Sequence, residues 1–137
     1  MKNIFLTLIF ITLLSNQGFS QEKYRIGIGF YSICCGTPDG KPIFDYIKTF
    51  KKANKIKDIE ATLVSGLGKE GEHKYLFSLK ELTKSQKIKF ITKIKLICAD
   101  FEKKRNTNQD GGMNFFEIDS NKIEKETTIQ NSEIIKL

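Results

Sequence analysis

The stretch YRIGIGFYSICCGTPDGKPIFDYIKTF, residues 24–50, changes its hydrophobic period from two to about 3.6 across one loop. Tyr24, Ile26, Ile28 and Phe30 alternate with Arg25, Gly27, Gly29 and Tyr31, the pattern of a strand with one buried face. Gly27 and Gly29 share the other face, where a missing side chain admits a close neighbour or a twist. Ser32 to Gly40 is rich in turn formers and reads as a loop. Pro42 suits a helix start, and Ile43, Ile47 and Phe50 share a face opposite Lys48, Lys51 and Lys52. Together they predict a helix from about Pro42 to Ala53.

Further along, Ile59, Ala61 and Leu63 alternate with Glu60, Thr62 and Val64. Beyond a glycine-bearing stretch from Gly66 to His73, Tyr75, Phe77 and Leu79 alternate with Lys74, Leu76 and Ser78, which completes a hairpin. Thr83 with Gln86 three residues on forms a capping box, and Phe90, Ile91, Ile94, Ile97, Cys98 and Phe101 recur at helical spacing. Asn106 to Gly112 is loop material, and Asn114, Phe116 and Ile118 suggest a last strand. The order strand, helix, strand, strand, helix, strand predicts an α+β fold: a ferredoxin-like βαββαβ two-layer sandwich, with two helices on one face of an antiparallel sheet. Residues 21–118 are read as this single domain. Residues 119–137, where isoleucines stand singly among polar residues, are read as a polar C-terminal tail, open to being an edge strand, a partner-binding arm or disordered.

Residues 1–20 have the three parts of a secretory signal peptide. Lys2 is followed by an apolar run from Ile4 to Leu14, then Ser15-Asn16-Gln17, then Gly18 and Ser20 as small residues for the peptidase. The run is about half of the roughly 20 apolar residues a membrane-spanning helix needs, so cleavage is expected, with no transmembrane segment after processing. No cysteine lies near the cut to carry a lipid. The expected location is therefore periplasmic or secreted. The remaining chain, residues 21–137, is long enough for one domain with a core of its own.

The full chain carries 23 basic residues against 16 acidic ones. All but Arg25 and Arg105 of the basic residues are lysines, whereas nucleic-acid readers favour arginine forks. An exported, lysine-rich chain is thus expected to bind no nucleic acid. Its lysines serve solubility or face an anionic surface.

Cys34, Cys35 and Cys98 are the only cluster with chemistry of its own. The predicted topology brings the end of the first strand and the end of the second helix to one edge, so the three sulfurs have the opportunity to meet. Three readings compete. A disulfide from Cys98 to one of the pair, the leading reading, closes a loop of about 64 residues and is worth roughly 4 kcal/mol if the α-carbons come within about 7 Å. Alternatively Cys98 is a buried core residue, leaving Cys34 and Cys35 as free thiols or a vicinal disulfide. The third reading is a copper(I) or zinc site, poorly supported because adjacent cysteines lack the usual chelating spacing.

Other candidates carry less. His73, between Glu72 and Lys74, reads as a solvated loop histidine, since no nucleophile is tied to it by spacing. Gly27-Ile28-Gly29 lacks the third glycine and the helix of a dinucleotide fingerprint. Asp39 belongs to the Pro38-Asp39-Gly40 turn and Asp45 to the positive end of the first helix. The Gly66–Gly71 loop joins two strands, so it lacks the helix start that strengthens phosphate loops. The functional expectation is an exported, non-catalytic binding or interaction module without a cofactor, meeting an unknown protein or an anionic surface. The alternative is a thiol- or soft-metal-handling protein that uses the Cys34–Cys35 loop with copper or zinc.

Overall fold

The Thr83 hydroxyl accepts from the backbone N–H of Gln86 at 3.3 Å, and the Gln86 side chain accepts in return from the Thr83 N–H at 2.9 Å. This reciprocal cap starts the longest element of the fold. The structure, a computed structural model, describes residues 25–118 and 131–137. The expected leader, residues 1–20, lies outside the described residues, as do residues 119–130 of the expected tail. In chain order the elements are β1 (Ile26–Tyr31), α1 (Lys41–Asn54), β2 (Glu60–Val64), β3 (His73–Phe77), α2 (Lys84–Lys104), β4 (Gly112–Glu117) and β5 (Ser132–Lys136).

The strands form one antiparallel sheet in the order β4-β1-β3-β2-β5. The α+β class and two-layer form agree with the sequence, but the topology is not a plain βαββαβ: a fifth strand extends the sheet beyond β2. β5 realises the edge-strand option left open for the tail, with only Ile134 and Ile135 among its polar residues to mark it. It is nonetheless anchored, since Ile59 and Leu137 exchange two backbone hydrogen bonds of 3.1 Å and Ile135 packs against the core. Among the described residues, no helix is long and apolar enough to cross a membrane.

The alternation of β1 is realised as expected. Ile26, Ile28 and Phe30 are buried in the main core with Ile43, Ile47 and Phe50 from α1 and Phe90, Ile94 and Cys98 from α2. Aromatic rings join the layers: Phe90 lies 5.2 Å from Phe50 and 6.1 Å from Phe77, centroid to centroid, within the range of favourable ring pairs. β4 directs Met113 and Phe115 to this core, so Asn114 and Phe116 stand on the opposite face of the sheet.

That opposite face explains the two glycines. Phe116 lies across Gly27 and Asn114 across Gly29, each filling the space a Cβ would take. Phe116 thereby reaches a second, smaller cluster built on Val64 and Leu76. Gly27→Ala therefore forces the Phe116 ring away and is expected to cost about 1–3 kcal/mol of stability in denaturant unfolding. In the double variant with Phe116→Ala, the added cost of the glycine change should largely vanish, a non-additivity that reports the contact.

Candidate functional site

Three segments meet at one edge of the sheet: the β1–α1 loop, the last turn of α2 and the loop from Asn106 to Gly111. Between them lies an open cleft of about 930 Å³. Cys35 to Asp39 form one wall, with Pro42 and Asp45 from the start of α1. Phe101 and Lys104 of α2 and Arg105 just past its end, with Gln109 to Gly111, form the other. The surface between the charged side chains is largely carbon and sulfur, from Pro38, Pro42, Phe101 and Cys35. Its size and character suit a small organic ligand.

A carboxylate beside the cleft ties β1, the end of α2 and β4 together. Glu102 accepts from the Tyr31 hydroxyl at 2.9 Å, from Arg105 Nε at 2.8 Å and from the Met113 backbone N–H at 3.0 Å. Arg105 also donates to the Tyr31 hydroxyl at 2.9 Å and to the Asp110 carbonyl at 3.2 Å. Burial alone would raise the Glu102 carboxyl, but the donors from Arg105, Tyr31 and Met113 outweigh it and hold it below its ordinary value. Burial, and then the hydrogen bond to Glu102 and its negative charge, push the Tyr31 phenol up. A carboxylate kept ionised with its lone pairs occupied is a poor base, and a phenol kept protonated is a poor nucleophile. The cluster is architectural. Gly111 and Gly112 make room for it, because a side chain at either would run into Tyr31 and its surroundings.

Cys34 and Cys35 are exposed and joined to each other, and Cys98 is a free thiol, 3 % exposed in the core. This corrects the leading expectation of a crosslink to Cys98. The shared edge was anticipated correctly. However, the residues that reach the cleft at this end of α2 are Phe101, Lys104 and Arg105, one to two turns beyond Cys98, whose side chain points into the apolar layer. Burial, and secondarily the charge of Glu102, push the Cys98 thiol up to about 11, so it is protonated and inert at neutral pH. With their sulfurs bonded to one another, Cys34 and Cys35 offer no thiolate to copper or zinc in this state. Among the described residues no group of three metal-ligating side chains comes together.

The disulfide loop is touched on one side and held by hydrogen bonds on the other. The Cys34 sulfur lies 3.2 Å from the Gln109 carbonyl. On the other side Glu70, in the β2–β3 loop, accepts from the Ser32 hydroxyl, and the Gly36 N–H donates to the Ser32 oxygen at 3.1 Å. The Gly66–Gly71 loop therefore braces the cysteine loop, a role its sequence did not reveal. His73 is not a solvated loop residue. It opens β3, stacks on Phe30 with centroids 4.7 Å apart, and meets Tyr75 edge-on. Asp39 accepts from the Lys41 N–H at 2.8 Å and Asp45 pairs with Lys41 at 2.6 Å, which leaves both as supports for the start of α1. Tyr31, Glu102 and Arg105 were missed as a set because 71 residues separate Tyr31 from Glu102. The one local signal was an arginine, rare in this chain, three residues after a glutamate.

Compared with known family models, curated proteins and solved structures, the chain matches none.

Two outcomes follow. In non-reducing peptide maps Cys34 and Cys35 should be linked to each other, and iodoacetamide should label Cys98 only after denaturation. For Glu102, acidification protonates the unfolded chain first, because the folded carboxyl sits below its ordinary value near ~4.3. The advantage of the native protein over Glu102→Gln in thermal melts should thus be full at neutral pH and shrink as the pH falls below about 4.

Proposed function

We propose that the protein is an exported, non-catalytic binding module that holds a small organic molecule with an apolar body in the cleft beside Cys34–Cys35. The cleft itself carries this reading. Each wall is held by hydrogen bonds of its own, one by Ser32 and Glu70 and the other by Arg105 with Glu102 and the Asp110 carbonyl, so the cleft is formed before any ligand arrives, and preorganisation lowers the cost of binding. Of the titratable groups that line it, Lys41 pairs with Asp45, Arg105 pairs with Glu102, and Asp39 and Asp110 accept from backbone N–H groups, which argues for holding a ligand over transforming it. The order β4-β1-β3-β2 supports treating β1–β4 and the two helices as a ferredoxin-like sandwich to which β5 is added. The order of charged, apolar and small residues in residues 1–20 supports export to a periplasm or the medium.

Cys34 and Cys35 are exposed and Cys35 lines the cleft, which favours a second reading, in which an external dithiol, itself oxidised to a disulfide, reduces the pair to two adjacent thiols that handle a soft metal. Copper(I) or zinc bound tightly to the reduced protein, and lost in Cys34→Ser and Cys35→Ser, would establish that reading instead.

A library of small molecules screened by amide chemical shifts tests the first. Bound compounds should move the signals of residues 35–39 and 104–111 and should fail to bind Asp45→Trp, whose exposed side chain fills the cleft mouth without entering the core. Binders that shift only other regions, or that bind the variant equally well, would refute it.

A further inference from the structure

The side of α2 turned away from the sheet carries a second apolar feature. Phe90, Ile94 and Cys98 bury one face of the helix. Ile88 and Leu96 lie on the opposite arc, 58 % and 52 % exposed, with exposed Thr92 between them. Eight residues place the two about 12 Å apart along the axis. Around them stand Lys89 and Lys93 on one flank, Lys84 on the other and Lys103 beyond, all exposed. None of these four lysines has an ion pair among the described residues. Their neighbour Lys95 is partly occupied, 3.8 Å from Glu117, and Asp100 is the single acidic residue on the arc.

We propose that this face of α2 docks on an anionic lipid surface, with Ile88 and Leu96 entering the headgroup region and Lys84, Lys89, Lys93 and Lys103 meeting the lipid phosphates. Charge complementarity selects an anionic partner. The shape then favours a membrane over a folded protein: the apolar pair sits on the outward arc of a helix, flanked by long lysine side chains, and lines neither of the pockets among the described residues. A dissolved polyanion would use the lysines but give Ile88 and Leu96 nothing to enter. Lysines suit a diffuse field of headgroups, whereas recognition of one fixed phosphate favours arginine forks. This face is separate from the cleft, and its docking does not depend on the cleft's ligand.

Sedimentation of the full chain with vesicles tests the proposal, using equal parts phosphatidylglycerol and phosphatidylcholine against phosphatidylcholine alone. Binding should require phosphatidylglycerol and weaken steeply as salt is raised. Lys89→Glu with Lys93→Glu should reduce it at least about 25-fold, and Lys84→Glu with Lys103→Glu similarly. Ile88→Ser with Leu96→Ser should reduce it about ten-fold. All six positions are exposed, so melting temperatures should stay close to that of the parent. An uncleaved apolar leader adds the same background on both vesicle types, so the variants are read on the phosphatidylglycerol-dependent part of the binding. Equal binding to both vesicles, or anionic binding untouched by these variants, would overturn the proposal. So would binding lost with the lysines but unaffected by Ile88→Ser with Leu96→Ser, since that describes a polyanion site. Absence of vesicle binding, with or without affinity for an acidic protein, would overturn it as well.

Discussion

Glu102 collects hydrogen bonds from β1 through Tyr31, from the end of α2 through Arg105, and from β4 through the backbone of Met113. Strands and helix already share an apolar layer, but that layer has no directional preference and leaves the ends of its elements free to splay. A single carboxylate with three donors supplies the direction. It sets where α2 ends relative to β1, and through Arg105 and the Asp110 carbonyl it positions the loop that forms one wall of the cleft. Removing such an acceptor would leave a half-buried guanidinium and a phenol short of their shared partner, which costs more than an ordinary surface pair.

The opposite wall depends on restraints that are short in range but drawn from distant parts of the chain. The bond between Cys34 and Cys35 closes a ring only one residue apart, so it cannot tether the fold as a long-range crosslink does. Its effect is local. Position comes instead from the hydrogen bonds of Ser32 with Glu70 and Gly36, while the Gln109 carbonyl only abuts the Cys34 sulfur. The buried, protonated Cys98 stays out of this chemistry, which leaves the pair to interact with whatever occupies the rim.

What the sequence disclosed divides along physical lines. Periodic burial is written locally, so β1, α1, the hairpin and the capped α2 were legible from Ile26 to Phe101. The twin glycines announced a close neighbour but not its identity, because Phe116 and Asn114 arrive from a strand about 90 residues later in the chain. β5 was legible only as one of three options for the tail, because an edge strand at β2 needs few apolar residues of its own. The cysteine cluster was placed at the right edge but paired wrongly: helical spacing shows which face Cys98 shares, and the pairing turned on one turn of depth along the axis. The Tyr31–Glu102–Arg105 set and the brace from Glu70 are products of tertiary structure, and no local pattern encodes them. On α2, exposed Ile88 and Leu96 diluted the simple picture of one apolar and one polar face, and that dilution is what singles out its outer side.

A cleft that exists before its ligand requires both walls to be as rigid as the sheet that carries them. NMR relaxation at the amides of Gly36, Thr37, Arg105 and Gly111 measures this directly in the unliganded protein. Order parameters of about 0.85, matching those of β1 and β3, are predicted for all four. Values below about 0.6 in either loop would contradict a preformed site.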